Sequence, residues 1–135
     1  MANYLLDTNH AAALVTLSHP LRQRVLQRLQ AGDTFAITVP VVAETLFGIG
    51  LLPRAAQNLA EWARLRPNLV CYAPDEADAE NAAALRRALR RQGWQLETVD
   101  GFVAVTALRY SLVLLTSDKD FAPVPGLKQE NWLVP

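Results

Sequence analysis

Phe35-Ala36-Ile37-Thr38-Val39-Pro40-Val41-Val42-Ala43-Glu44-Thr45-Leu46-Phe47 decides the fold. Its first five residues are apolar or β-branched, which predicts a strand over 35–39. Pro40 then suits a helix start, because its missing N–H falls where a helix has no internal partner to offer. That helix is expected from Val41 to Phe47, with Gly48 and Gly50 loosening its end. The same strand-to-helix step recurs in both directions. Upstream, Tyr4-Leu5-Leu6 predicts a short strand ending at Asp7, and 9–16 reads as a helix. Leu21, Val25, Leu26 and Leu29 continue a helical period after Pro20, up to a turn at Gly32-Asp33. Downstream, a helix over 54–64 stops before Pro67, and 69–72 reads as a strand. Asp75 and Asp78 open a long helix that runs to Arg91 and ends at Gly93. A helix over 100–110 leads to the almost purely apolar strand Leu112-Val113-Leu114-Leu115-Thr116, and 129–133 suits a short edge strand. Strands separated by helices imply an α/β fold: a central parallel sheet of four to five strands with helices on both faces, in three α/β/α layers.

The chain has 135 residues, 51% of them hydrophobic, which suits one domain with a substantial core and argues against disorder. Its lone cysteine, Cys71, excludes a disulfide framework and a cysteine-rich zinc site. The start, Met-Ala-Asn-Tyr-Leu-Leu-Asp, has neither a basic region nor a long apolar run, and no stretch reaches the length of a membrane span. A cytoplasmic protein with no membrane partner is therefore expected. Net charge is zero, with 13 basic and 13 acidic residues. If four of the acids share one pocket, the rest of the surface carries about +4, which is compatible with an anionic substrate.

Four acids stand at the edges of apolar segments: Asp7, Glu44, Asp100 and Asp118. A carboxylate in such a place is costly to bury without a partner. Open parallel sheets bind ligands at the carboxyl ends of their strands. Asp7 closes the first strand, Asp118 follows the fourth, Glu44 lies early in the helix after the second, and Asp100 starts the helix feeding the fourth. All four are thus placed to meet at one sheet edge, where they would repel one another unless they protonate or share a hard cation such as Mg2+. Each also has a plainer reading. Asp7 and Asp100 suit helix caps, Glu44 suits a first-turn dipole partner, and Asp118 and Asp120 suit a turn.

These segments together resemble a PIN-domain ribonuclease, specifically a VapC-type toxin of VapBC toxin–antitoxin systems. The matching pieces are Tyr-Leu-Leu-Asp-Thr-Asn at 4–9, Val-Pro-Val-Val-Ala-Glu-Thr-Leu-Phe-Gly-Ile at 39–49, Asp100 with Phe-Val-Ala-Val-Thr-Ala-Leu, and Leu-Leu-Thr-Ser-Asp-Lys-Asp-Phe at 114–121. Pro-Gly-Leu-Lys-Gln-Glu-Asn-Trp at 125–132 resembles the family's tail, so the likeness covers essentially the whole chain, read as a single PIN domain over 1–135. Two segments depart from the pattern: 95–99 before Asp100, and the Thr-Leu-Phe that follows Glu44. The resemblance implies that Asp7, Glu44, Asp100 and Asp118 form a catalytic site for Mg2+ or Mn2+. It gives Thr8, Asn9, Thr116 and Asp120 supporting roles, with Asp120 fixing the turn and Phe121 packed inward. It further implies cleavage of single-stranded regions of structured RNA, tRNA or rRNA, by metal-activated water, leaving a 5′-phosphate and 3′-hydroxyl. The implied partners are a VapB-like antitoxin and a second copy of the chain.

Other residues are weighed against this reading. His10 and His19 are the only histidines, so a metal-free mechanism lacks a positioned pair; His10 is expected to take a surface or packing role and His19 to lie in a loop. Arg86, Arg87, Arg90 and Arg91 make a basic stripe on the long helix, either a solvated face or a contact for RNA phosphates. Trp62, Trp94 and Trp132 suit burial or an interface better than base stacking. The apolar stretch 41–52 exceeds what one helix buries on a sheet and suits a partner helix or second subunit. Two alternatives remain: a PIN-like module that binds RNA or a partner without cutting, and a different Mg2+-dependent phosphoryl-transfer enzyme. A haloacid-dehalogenase-type phosphatase would need Asp at position 9, which is Asn, and a receiver domain would need an acidic pair that is absent.

Overall fold

The computed structural model describes residues 1–134. Strand β1 (Asn3–Leu6) is the centre of the sheet, and Leu5 and Leu6 are wholly buried. It pairs in parallel with β2 (Thr34–Thr38) on one side and β4 (Val113–Leu115) on the other. β3 (Val70–Tyr72) and β5 (Gln129–Glu130) complete an all-parallel sheet in the order β3-β2-β1-β4-β5. Strands covered on both faces need apolar side chains on both faces. Tyr4, Leu5, Leu6, Phe35, Ala36 and Ile37 are accordingly all buried.

The helices are α1 (Thr8–Ala13), α2 (Pro20–Gln30), α3 (Val39–Gly50), α4 (Ala55–Leu65), α5 (Glu76–Arg91) and α6 (Thr98–Arg109). From β1 to β2 to β3 the chain steps one way; from β3 to β4 it crosses back. Right-handed crossovers then place α1 to α4 on one face and α5 and α6 on the other. Side chains agree: Arg24 of α2 lies 3.7 Å over the Trp132 ring, which meets Tyr4 and Phe35, and Arg22 of α2 pairs with Glu61 of α4. On the far face, α5 and α6 pack together with Gly101 against Arg86 and Ala82. A Cβ at Gly101 would sit 3.2 Å from the Arg86 Cδ. The expected three-layer α/β/α architecture with a parallel sheet is the one observed, with five strands.

Several boundaries differ from the sequence reading. The first helix ends at Ala13 rather than position 16, because the Leu14, Val15 and Thr16 N–H groups reach back only three residues, to Ala11, Ala12 and Ala13 carbonyls. Val39 belongs to α3, not to β2: the extended Thr38 is the N-cap, and Pro40 falls in the first turn, where its missing N–H has no helical partner to lose. α6 begins at Thr98, so Asp100 sits inside its first turn and is not its cap. His19 is no mere loop residue; its Nδ1 accepts the Leu21 N–H at 3.1 Å and caps α2. The edge strand stops at Glu130, and Trp132 turns into the core. Trp62 is also buried, but Trp94 stays 50% exposed.

Candidate metal centre

The sheet order reverses between β1 and β4, and open α/β sheets carry their ligand crevice at such a switch point. Asp7 is the residue after β1 and Asp118 lies just beyond β4, so they flank that crevice from adjacent strands. Glu44 comes from α3 and Asp100 from the first turn of α6. Asp7, Glu44, Asp100 and Asp118 all line one open cavity of about 440 Å³, together with Thr8, Asn9 and the segment 97–99. The four sequence-picked acids are thus brought together.

Asp7 is buried and held at both oxygens. Its Oδ1 accepts the Thr8 N–H at 2.8 Å, which caps α1, and its Oδ2 accepts the Thr116 hydroxyl at 2.8 Å. The capping and site readings of Asp7 therefore coexist. Thr116 also accepts the Asp118 N–H at 3.0 Å, so one buried hydroxyl ties the two acids to each other. Asp118 in turn accepts the Asp120 N–H at 2.8 Å and caps a single 3-10 turn whose Phe121 is fully buried. Asn9 donates its side-chain N–H to the Ser117 hydroxyl at 3.0 Å, so it braces the loop after β4 while lining the cavity.

Electrostatics single out Asp100. Burial pushes its carboxyl up to about 7, and the charges of Asp7, Asp118, Glu44 and Asp120 push in the same direction. Asp7 is also raised, by burial first and by Asp118 less; the Thr116 and Thr8 hydrogen bonds oppose this. Among the described residues, the tightest carboxylate set is Asp100, Asp118 and Asp120, whose oxygens lie within 4.8 Å of one another. Asp7 and Glu44 belong to the same cavity without joining that triplet. Hence Asp120 does more than fix a turn, because its backbone N–H serves the turn while its carboxylate faces the site. A set of hard oxygen donors crowded around the raised Asp100 carboxyl suits a hard divalent ion, which often uses one or two carboxylates and keeps several waters.

Sequence reasoning missed Glu97, Thr98 and Val99 as cavity walls. Their only signal was position, immediately before Asp100. His10 is fully buried; its Nε2 accepts the Trp132 N–H at 3.0 Å, and burial, aided by the His19 charge, lowers its pKa to about 4. Of the surface and packing roles expected for it, it takes the packing one. Arg86, Arg87 and Arg90 line a second cavity on α5, whereas Arg91 is not among its walls.

Thr116→Val keeps the shape but removes the hydroxyl that serves both acids. Affinity of the cavity for a divalent ion is expected to fall about 10–100-fold, as for other residues that orient metal ligands. Calorimetric titration with Mn2+, beside a melting curve, checks this; an unchanged affinity would show that the Asp7–Asp118 tie does not orient the carboxylates for an ion.

Residues 4–127 match the PIN domain family. A chain of the VapBC2 complex from Rickettsia felis, crystallised bound to a DNA fragment from its promoter, is similar in structure. Its TM-score is 0.83 at 24% identity, covering 96% of this chain and 98% of that one. A chain of a Klebsiella pneumoniae toxin–antitoxin complex has a TM-score of 0.66 at 26% identity, covering 92% and 94%. Mycobacterium tuberculosis VapC20, a sarcin-ricin loop cleaving toxin, has a TM-score of 0.66 at 18% identity, covering 90% and 95%. No curated protein sequence matches this one.

Proposed function

The chain belongs to the PIN-domain family, and on that premise we propose that it is a Mg2+- or Mn2+-dependent endoribonuclease, the VapC-type toxin of a toxin–antitoxin pair. In this reading one PIN domain over 1–135 acts in the cytoplasm on single-stranded regions of structured RNA such as tRNA or rRNA. The observation that carries the reading is the meeting of Asp7, Glu44, Asp100 and Asp118 in one cavity, with Asp100 pushed up to about 7. A module that only binds has no use for carboxylates that destabilise one another. A bound divalent ion would polarise a phosphate oxygen and lower the pKa of water.

The chain's own part is placement. Asp7 and Asp118, tied through Thr116, offer oxygens from two adjacent strand ends. Asp100 and Asp120 extend that set, and Glu44 guards the rim from α3. The likeness to VapC20 and to toxin–antitoxin complexes supports both the substrate class and a VapB-like partner. α3 and the turn after it leave Val39, Leu46, Phe47, Leu51 and Leu52 exposed, a surface suited to the antitoxin and to a second copy of the chain. No helix among the described residues is long and apolar enough to cross a membrane.

The purified protein is expected to cleave RNA with Mg2+ or Mn2+, to stop in excess chelator, and to resume when metal is restored. Cleavage that persists in chelator would remove the metal from the mechanism. No cleavage with any divalent ion, in protein shown to be folded, would leave the non-cutting module.

A further inference from the structure

We propose that the groove between α5 and the segment 93–96 is a second site, which binds single-stranded RNA flanking the stretch held at the carboxylates. The proposal rests on the nuclease reading above and adds to it the residues that grip the substrate.

The groove encloses about 510 Å³, within the range of small-ligand clefts, and its walls include Arg86, Arg87, Arg90, Trp94 and Gln95 but no acidic residue. Among the described residues, none of the three arginines has a carboxylate partner; the ion pairs belong to Arg22, Arg28, Arg64 and Arg109. Three guanidinium groups lining one concavity repel one another, and a polyanion relieves that repulsion. Beside them the Trp94 indole is 50% exposed. A basic groove with an exposed aromatic ring is the combination that single-strand binders use. Guanidinium groups take the phosphates, and the ring stacks on a base of any identity.

The groove is built rather than incidental. α5 ends in a Schellman turn: Gly93 takes φ +88°, its N–H donates to the Arg90 carbonyl, and the Trp94 N–H donates to the Leu89 carbonyl. This turn folds Trp94 back beside the arginines. Arg86 Nε donates to the Leu96 carbonyl at 2.6 Å, and the Leu96 side chain is buried. Arg86 is thus a positioning residue that pins the segment, while Arg87 and Arg90, both exposed, are the phosphate contacts. Leu96 lines this groove, and Glu97 and Thr98, the next two residues, line the carboxylate cavity. A strand leaving the carboxylates along 96–98 enters the groove directly.

The test is an anisotropy titration of a fluorescein-labelled oligouridylate, in chelator, over a series of salt concentrations. Arg87→Ala with Arg90→Ala is expected to weaken binding about tenfold near physiological salt. It should also flatten the slope of log K against log salt by about 1.4, the share of two phosphate contacts to a single strand. Trp94→Ala is expected to weaken binding about tenfold with the slope unchanged, and Trp94→Phe to restore most of the loss. Melting curves on each variant separate these effects from unfolding. Variants that bind like the parent overturn the groove even if the protein cleaves RNA. Binding that depends on these residues in a protein that never cleaves would keep the groove and reject the nuclease. Equal competition by polyglutamate, with Trp94→Ala silent, marks a plain anion surface and overturns the proposal.

Discussion

Asp100→Asn is expected to abolish RNA cleavage while raising the melting temperature of the metal-free protein. The two effects have one cause. Asp100 shares its cavity with Asp7, Glu44, Glu97 and Asp118, with Asp120 nearby, and its carboxyl is pushed from 3.8 up to about 7, by burial first and by the charges of Asp7, Asp118, Glu44 and Asp120 next. The folded protein therefore holds a proton that the unfolded chain releases. Stability of the metal-free protein falls as pH rises between those two values, and the full penalty is present above the upper one. Asn carries no charge, so the variant should lose most of that fall. Mg2+ should do for the parent protein what Asn does for the variant: raise the melting temperature most at the alkaline end. Asn cannot supply the anionic oxygen that a hard cation takes, and the loss of several kcal/mol of transition-state stabilisation corresponds to about 10³-fold or more in rate. Cleavage assays and melting curves from about pH 5 to 8 in chelator test both halves. A variant that cleaves at the parent's rate would place Asp100 outside the reacting centre. A metal-free parent whose stability does not change with pH would deny the crowding of charge.

Trp132→Ala is expected to cost about 3–5 kcal/mol of folding stability, a large part of the ~5–15 kcal/mol that a domain has. Trp132 is nearly buried, with its ring 4.8 Å from Tyr4 and 5.9 Å from Phe35 in T-shaped contacts, and Arg24 stacks on it at 3.7 Å. Its indole N–H donates to Glu130 at 2.9 Å, and its backbone N–H donates to the buried His10. Truncation would open a cavity where the chain after β5 closes over β1 and β2. The urea midpoint should drop with little change in slope. A shift under about 1 kcal/mol would mean that the tail contributes little to the core. The elements 1–130 alone do not reveal this coupling, because the contact joins residues at opposite ends of the chain.

Much of this molecule was legible residue by residue. The run 35–47 announced a strand turning into a helix, and it does so, with the strand ending one residue and the helix starting two residues before the expected places. The four acids were picked from their places beside apolar segments, and all four line one cavity. Asp120 was harder to read. Its local role in a turn is real, and nothing in Ser-Asp-Lys-Asp-Phe says that its carboxylate also approaches Asp100. The arginine stripe looked uniform along the helix, yet Arg86 turns inward over Gly101 to hold Leu96 while Arg87 and Arg90 remain free. For His10 the sequence left a surface role and a packing role open; the partner that settles it lies 122 residues away.

By itself the sequence determined the alternation of strands and helices, the chemistry of the acids and the segment to which each belongs. Hydrophobic periodicity, Pro40, Gly93 and capping aspartates act within a few residues, so their consequences can be read locally. Only the tertiary structure decided that β1 and β4 lie side by side. Their adjacency makes the switch point, joins Asp7 to Asp118 through Thr116 and crowds Asp100 toward neutrality. Desolvation and repulsion depend on distances between groups far apart in the chain, and those distances exist only once the sheet has formed.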